Sequence, residues 1–274
     1  MATANANSGN KPQRRMVVVV SHKGGVGKTF FAATLVSWMR SQGMAVAAFD
    51  SDGIVGGLRR VLGVKGLDGM PLAEQDPLTG CGYYDIRNDR ERAQFLDAVS
   101  LGYDLMLQDL PGGAILDLQR VVDDGDGVRQ LLDSFDSEGV RLTVVHLITH
   151  VIESVFSVAS LTQMFGQRVD HIAVLNKNFG RELTDFPFWH GYETAKGEKK
   201  GGATRKRFLD MGGAEIEFPA LEPGVFAKIA AAMEPLTKAV VNPELKLSER
   251  GTIQVFLRKF DEQIRKVGPL VGIP

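Results

Sequence analysis

Residues 21–31, SHKGGVGKTFF, combine three glycines, two lysines and a threonine directly after an apolar run at 16–20. A glycine-rich turn between a strand and a helix lets backbone N–H groups converge on phosphate oxygens at the positive end of the helix. There Lys28 reaches the β- and γ-phosphates of a nucleoside triphosphate, and the Thr29 hydroxyl holds Mg²⁺. The residues predicted to bind the nucleotide in this loop are Gly24, Gly25, Val26, Gly27, Lys28, Thr29 and Phe30.

Three aspartates follow two later apolar runs. Asp50 and Asp52 end the run at 44–50, and Asp109 ends the run at 103–109, just before Pro111 and Gly112. An aspartate that ends a strand beside a phosphate loop can bind Mg²⁺ through water, and the Pro-Gly that follows can move when the γ-phosphate leaves. The alternative interpretation is local, because aspartate commonly caps a turn at a strand end.

Apolar runs at 16–20, 44–50, 103–109, 141–149 and 171–176 alternate with helical patterns at 29–42, 90–100, 128–135 and 152–165. This alternation predicts an α/β fold, a single doubly wound domain with a mostly parallel central sheet flanked by helices. We expect a flexible tail at 1–14 and one P-loop NTPase domain at 15–274. That domain includes a basic excursion at 180–207 and a C-terminal helix at 247–268.

Composition restricts the classes of function. The net charge is −1, so binding to nucleic acid or membrane would need a local patch. The single cysteine, Cys81, excludes an internal disulfide and a multi-cysteine metal site within one chain. No apolar run is long enough to predict a membrane span. We expect a cytoplasmic setting.

The motifs KGGVGKT at 23–29, D-x-D at 50–52 and D-x-P-G at 109–112 together resemble the ParA/MinD family of dimeric, deviant Walker A ATPases. The resemblance implies ATP and Mg²⁺ as cofactors and a homodimer in the ATP state. It implies that Lys23 crosses the dimer interface to the partner's nucleotide, that Asp52 positions the attacking water, and that Asp50 supports the metal and water shell. The implied catalytic residues are then Lys23, Lys28, Asp50 and Asp52, and the implied metal-site residues are Thr29, Asp50 and Asp109.

Two further positions have counterparts in the same family. The resemblance implies that Asn176, in VLNKN, contacts adenine and that Pro219, in IEFPALEP, lies in the loop beside it. Phe179 stands where a guanine-specific N-K-x-D motif has its aspartate, so the chain lacks that acceptor. The alternative for Asn176 is an ordinary asparagine at a strand-end turn.

The branch of the family and the cargo rest on weaker patterns. His22 stands where the strict P-loop has glycine, and it favours the ParA-like ATPases of plasmid partition, stability and transfer, whereas DGIVGGLRRVLG at 52–63 resembles MinD. We expect slow, partner-stimulated ATP hydrolysis by a switch that positions or segregates DNA. The cations expected to contact non-specific DNA are Lys196, Lys199, Lys200, Arg205, Lys206 and Arg207.

Other interpretations remain open for these segments. The basic stretch can equally be a solvated loop, and the aromatic residues Phe186, Phe188, Trp189 and Tyr192 are expected to pack in the core rather than stack on bases. The helix at 253–268 has an apolar face, which is typical of a membrane-surface helix and also of a helix docked on its own domain. The alternative functions are therefore a MinD-like membrane-surface switch and a slow, ATP-gated adaptor that recruits a protein partner.

Overall fold

The computed structural model describes residues 14–114, 117–118, 120–121 and 127–274. Its main sheet has seven strands in the order β3-β2-β4-β1-β5-β6-β9, and every neighbouring pair is parallel. This confirms the predicted α/β class. The strands are β1 (Arg14–Val20), β2 (Ala47–Asp50), β3 (Gly82–Tyr83), β4 (Leu105–Asp109), β5 (Val140–Ile148), β6 (Asp170–Asn176) and β9 (Ala214–Phe218).

Helices cover both faces of this sheet. The two larger buried clusters, one on each face, contain the apolar side chains of alternate strand positions such as Val17 and Val18, and a third, smaller cluster includes Ala173 and Leu175 of β6. This is why the strands read as continuous apolar runs. The described helices are α1 (Lys28–Ser41), α2 (Gly57–Leu62), α3 (Gln94–Ser100), α4 (Gly127–Ser137), α5 (Ile152–Phe165), α6 (Pro187–His190), α7 (Ala203–Asp210), α8 (Pro223–Ala232), α9 (Leu236–Ala239) and α10 (Leu247–Ile264).

The C-terminal helix α10 is docked on its own domain. Ile253, Phe256, Phe260 and Ile264 form one face of the helix and are at most 2% exposed. The Phe256 and Phe260 rings pack edge-on against Phe218. The apolar face proposed for a membrane surface is therefore already buried. The helix also ends at Ile264 rather than at 268, and a 3₁₀ segment, Arg265–Val271, follows it.

The excursion at 180–207 is ordered around two buried aromatic rings. Phe186 and Trp189 are fully buried, which confirms the expected core packing for these two, whereas Tyr192 is 42% exposed. Between α6 and α7 the chain forms a small antiparallel hairpin of β7 (Tyr192–Glu193) and β8 (Lys199–Lys200). The hairpin exposes Lys199 and Lys200, and the segment that precedes it is anchored by the buried Phe186 and Trp189.

At the N-terminus, the predicted tail 1–14 lies outside the described residues except for Arg14. Arg14 is the first residue of β1 and pairs with Val140, so the sheet begins one residue earlier than the predicted domain. In the described part of the chain, no helix is both long and apolar enough to cross a membrane.

Candidate functional site

The loop between β1 and α1 follows a path that depends on glycine. Gly25 and Gly27 have φ angles of 75° and 94°, in the left-handed region that side chains disfavour. A Cβ on Gly27 would stand 2.5 Å from the Asn176 amide nitrogen. Gly27 is the N-cap of α1 and provides no side-chain cap, so the first turn of the helix keeps backbone N–H groups for an anion.

Lys28 is held inside the loop. Its side chain is largely buried, and its Nζ donates a hydrogen bond to the Lys23 carbonyl at 3.1 Å. Burial lowers the pKa of Lys28, while the nearby charges of Asp109 and Asp52 act in the opposite direction. A lysine ammonium placed this way is a buried cation at the positive end of a helix. It is suited to a phosphate group.

The acidic side of the site comes from two adjacent strand ends. Asp50 on β2 is in register with Asp109 on β4, and both side chains are buried. Burial raises the pKa of Asp109 to about 7, the charge of Asp50 adds to this, and a hydrogen bond from Thr29 opposes it. The Asp109 Oδ1 atom is buried without a hydrogen-bond partner among the described residues.

This orphaned oxygen fits a hydrated Mg²⁺ ion. Mg²⁺ keeps several waters and takes few protein ligands, so Thr29 with a water-mediated Asp109 is a suitable donor set. The described residues contain no group of three or more His, Cys, Asp or Glu that could enclose a metal by themselves. The residues therefore fit a metal that is shared with phosphate oxygens.

Asp50 has a different environment. Its Oδ1 accepts a hydrogen bond from the Asp52 backbone N–H at 3.0 Å, and its Oδ2 accepts one from the Arg59 backbone at 2.9 Å. Burial raises the pKa of Asp50, and these backbone donors lower it. In this structure Asp50 fixes the loop that leads from β2 to α2. A direct place for it in the metal shell remains a prediction.

Asp52 and Lys23 are the more accessible members of the predicted catalytic set. The Asp52 carboxylate is 25% exposed and forms an ion pair with Arg87, with 3.0 Å between Oδ1 and Nη1. The Lys23 side chain is 45% exposed, and its Nζ lies 3.9 Å from Glu153 Oε1. Its backbone carbonyl accepts a hydrogen bond from Lys28, whose own side chain is buried, so the two lysines of the motif differ in exposure.

The two residues predicted to lie beside the base stand at the ends of neighbouring strands, Asn176 as the last residue of β6 and Pro219 directly after β9. Asn176 ends β6 and is buried, and its Nδ2 donates to the Val26 carbonyl at 2.9 Å. Its Oδ1 accepts hydrogen bonds from the backbone and side chain of Asn178. Asn178 also donates to the Pro219 carbonyl at 3.4 Å. Asn176 thus supports the phosphate loop, and a groove of about 600 Å³ lies beside Pro219.

Phe30 and Gly112 pack against other parts of the protein. The Phe30 ring packs edge-on against Phe218 and Phe226, so its contribution to the predicted nucleotide contacts would come from its backbone. Gly112, directly after the D-x-P of the second predicted switch, lies against the loop. A Cβ there would stand 3.0 Å from the Gly24 nitrogen. The rest of that switch lies partly outside the described residues.

Sequence reasoning missed three residues of this region. Arg87 pairs with Asp52, Tyr83 donates a hydrogen bond to the Gly53 carbonyl, and Asn178 links Asn176 to Pro219. Asn178 had a visible signal, since it stands two residues after Asn176 in the same motif. Arg87 and Tyr83 had none, because they belong to no recognisable motif.

Half of the six predicted DNA-contacting cations already have acidic partners. Arg205 pairs with Glu215, Lys206 with Asp210, and Lys200 with Glu198. Within the described chain, the three without an ion pair are Lys196, Lys199 and Arg207, all exposed.

Solved structures with a similar fold include two MinD proteins. The septum site-determining protein MinD from Pyrococcus horikoshii OT3, complexed with Mg-ADP, is 19% identical, with a TM-score of 0.52 over 90% of this chain and 95% of that chain. The cell division ATPase MinD from Pyrococcus furiosus is 17% identical, with a TM-score of 0.48 over 90% and 98% of the two chains. A search of curated proteins finds no match. At this level of identity the first similarity shows a shared fold.

The family itself is shown by the sequence. The model of the CobQ/CobB/MinD/ParA nucleotide-binding domain matches residues 17–175, which is more than half of the chain. The match begins in β1 and ends one residue before Asn176, so it includes the phosphate loop and all three aspartates. The chain belongs to the CobQ/CobB/MinD/ParA nucleotide-binding family.

Proposed function

We propose that this protein is an ATP- and Mg²⁺-dependent ATPase switch that dimerises in its ATP state and positions or segregates DNA. The observation that carries the proposal is the phosphate loop, where buried Lys28, an uncapped helix N-terminus and the orphaned Asp109 oxygen converge. These groups match the charges of a triphosphate and its metal. The P. horikoshii MinD complexed with Mg-ADP supports the same ligand class.

The residues of the loop have distinct tasks in this proposal. Backbone N–H groups of the first turn of α1 and the Lys28 ammonium bind phosphate oxygens. Thr29 and Asp109 hold Mg²⁺, which when bound neutralises charge on the β- and γ-phosphates. When Lys28 is drawn to phosphate, it leaves the Lys23 carbonyl that it contacts in this structure. The Lys23 backbone then becomes free to shift with the nucleotide.

Hydrolysis requires one oriented water. Its oxygen attacks the γ-phosphorus, the bond from that phosphorus to the bridging β–γ oxygen breaks, and the water proton passes to phosphate. We assign to Asp52 the hydrogen bond that orients this water, and two observations support the assignment: its carboxylate is partly exposed, and it lies two residues beyond the end of β2. Positioning of this kind contributes through geometry. Hydrolysis is expected to be slow and to be stimulated by a partner.

The position of Lys23 supports the proposed dimerisation. Its side chain is 45% exposed with Nζ 3.9 Å from Glu153 Oε1, whereas Lys28 is buried in the loop. A cation on this surface can reach the phosphates of a second copy, where it would offset charge in the transition state. Lys23→Ala should therefore leave ATP binding nearly intact and weaken the ATP dimer.

Light scattering tests the dimer step. Wild-type protein with ATP and Mg²⁺ should have twice the mass of protein with ADP, and Lys23→Ala should stay largely monomeric. Lys266→Ala is the matched control, since Lys266 is an exposed lysine bonded within its own segment at the C-terminus. An ATP dimer of unchanged strength in Lys23→Ala would contradict the proposed role of this lysine.

Non-specific DNA is the proposed cargo. Dimerisation doubles the number of unpaired cations on the 180–207 excursion, so ATP should increase DNA affinity. The slope of log affinity against log salt should be about −0.9 for each phosphate neutralised. Replacing Lys196, Lys199 and Arg207 with alanine should flatten this slope, whereas Lys206→Ala should change it less, because Lys206 is paired with Asp210 at 2.7 Å.

Vesicle sedimentation and ATPase rates, measured beside DNA binding, distinguish this proposal from the two alternative functions. A membrane-surface switch would sediment with phosphatidylserine vesicles in the presence of ATP, but α10 has its apolar face buried against the domain. An ATP-gated adaptor would bind neither DNA nor vesicles and would hydrolyse ATP at the same rate with and without DNA. ATP-dependent vesicle binding without DNA binding would overturn the DNA proposal.

A further inference from the structure

The loop after β3 places a cation against the nucleotide site. Arg87 lies 35 residues beyond Asp52 in sequence, yet its Nη1 is 3.0 Å from Asp52 Oδ1. The two side chains are 35% and 25% exposed. An ion pair with this exposure contributes little to folding stability, because solvent and salt screen it. The main effect of this ion pair is therefore on the position of the Asp52 carboxylate.

Backbone hydrogen bonds fix this loop beside the switch that carries Asp52. Tyr84 N–H donates to the Asp50 carbonyl at 3.1 Å, and Ile86 N–H donates to the Ser51 carbonyl at 3.2 Å. The Arg87 N–H donates to Asp85 Oδ1 at 3.0 Å, which closes a turn directly before the guanidinium. The segment that leads to Arg87 is thus attached through the backbone to the two residues that directly precede its partner Asp52.

A second arginine ties the same loop to the other switch. The Arg92 side chain is 11% exposed, and it donates to the Ile86 carbonyl at 3.1 Å and to the Arg87 carbonyl at 3.4 Å. It also lies 3.8 Å from Asp117, in the segment that follows Asp109 and Gly112. The loop after β3 is therefore linked both to the segment of Asp52 and, through Arg92, to the segment that follows Asp109.

The guanidinium also stands within the electrostatic field of the phosphate loop. The positive charge of Arg87 contributes to lowering the pKa of Lys28, after the larger effect of burial. The Asp52 carboxylate is close enough to Lys28 for their charges to interact, and its ion pair with Arg87 fixes the position of its Oδ1. A carboxylate that must orient one water depends on this position, because misplacement by about 1 Å can cost about 100-fold in rate.

We propose that Arg87 is a positioning residue, which holds the Asp52 carboxylate in the orientation that hydrolysis requires. This rests on the proposed ATPase function. It predicts that Arg87 acts on the chemical step and not on nucleotide affinity, because its contact is with Asp52 and not with the phosphate-binding residues.

Steady-state kinetics on three variants test this role. Arg87→Ala should lower kcat by about 10- to 100-fold and leave the KM for ATP unchanged, the signature of an interaction needed only in the transition state. Arg87→Lys keeps the charge and should recover part of kcat. Arg90→Ala is the matched control, since Arg90 is exposed on the same loop and should behave as wild type. The thermal unfolding midpoint should not change in any variant.

A double variant tests whether Arg87 acts through Asp52. In an Asp52→Ala background, Arg87→Ala should cause no further loss of kcat, because coupled residues are not additive. Additive losses, a rise in KM, or wild-type kcat in Arg87→Ala would overturn the proposal. Wild-type protein that binds ATP but does not hydrolyse it would instead refute the ATPase function, so the two failures are distinguishable.

Discussion

Adding one methyl group at Gly27 should disrupt the phosphate loop in a measurable way. The φ of Gly27 is 94°, and alanine in the left-handed region costs about 1–2 kcal/mol. The new Cβ would also stand 2.5 Å from Asn176 Nδ2. Moving that amide breaks its 2.9 Å hydrogen bond to the Val26 carbonyl, and leaving these buried groups unsatisfied costs about 1–3 kcal/mol.

The net effect follows from these opposing contributions. Alanine also restricts the unfolded chain, which offsets about 0.4–1 kcal/mol of this cost, so Gly27→Ala should lower the free energy of unfolding by about 1–5 kcal/mol. The upper end of this range is a large part of a typical domain stability of about 5–15 kcal/mol. Urea denaturation of the nucleotide-free protein measures it directly, as a shift of the midpoint at constant m-value.

Gly24→Ala is the matched control in the same loop. Gly24 is not in the left-handed region, and no heavy atom lies within 4 Å of the position of its Cβ. Its nucleotide-free stability should equal that of wild type or exceed it by about 0.4–1 kcal/mol. Equal urea midpoints for Gly27→Ala and Gly24→Ala would refute the contact between Asn176 and the loop on which this reasoning depends.

Two further predictions concern the core. Burial lowers the pKa of His146 and His171, which share a 3.0 Å hydrogen bond, so the unfolded chain binds more protons below about pH 6.5. Their contribution to the free energy of unfolding should therefore fall as pH drops from 7 to 5.5. Asp109, with its raised pKa, acts in the opposite direction, and urea titration of His146→Leu against wild type isolates the histidine part. Phe260→Ala should lower the free energy of unfolding by about 3–5 kcal/mol, because the Phe260 ring is buried. Val255 is on the same helix and 42% exposed, so Val255→Ala should change it little. Equal effects of the two substitutions in urea denaturation would contradict the docking of α10 on the domain.

The sequence predicted the parts of the fold that depend on local pattern. Continuous apolar runs predicted five of the central strands, and the Gly-Lys-Thr spacing predicted the loop that the structure places between β1 and α1. The two-residue strand β3 was missed, because Gly82–Tyr83 has no apolar period and forms only by pairing with β2. The helix predicted at 90–100 begins only at Gln94, since turns precede it.

Contacts between distant segments account for what pattern could not reveal. The pairing of Arg87 with Asp52 spans 35 residues and depends on how the loop after β3 packs on the loop after β2. In the same way, a basic stretch predicts charge but not its neutralisation, and Glu215 on β9 removes Arg205 from the free cations. The apolar face of α10 could be predicted from the sequence, whereas its contact with Phe218 could not, because that contact depends on how the helix packs on β9.

ATP binding and hydrolysis measured side by side in Lys28→Ala and Asp52→Ala test the central claim most directly. Lys28→Ala should lose ATP binding by calorimetry, because it removes the buried ammonium to which we assign the phosphate contact. Asp52→Ala should bind ATP with Mg²⁺ as wild type does and release phosphate much more slowly, at a residual rate that can still be measured, because only the water loses its positioning carboxylate. Equal loss of ATP affinity in both variants, or wild-type hydrolysis in either, would contradict the account.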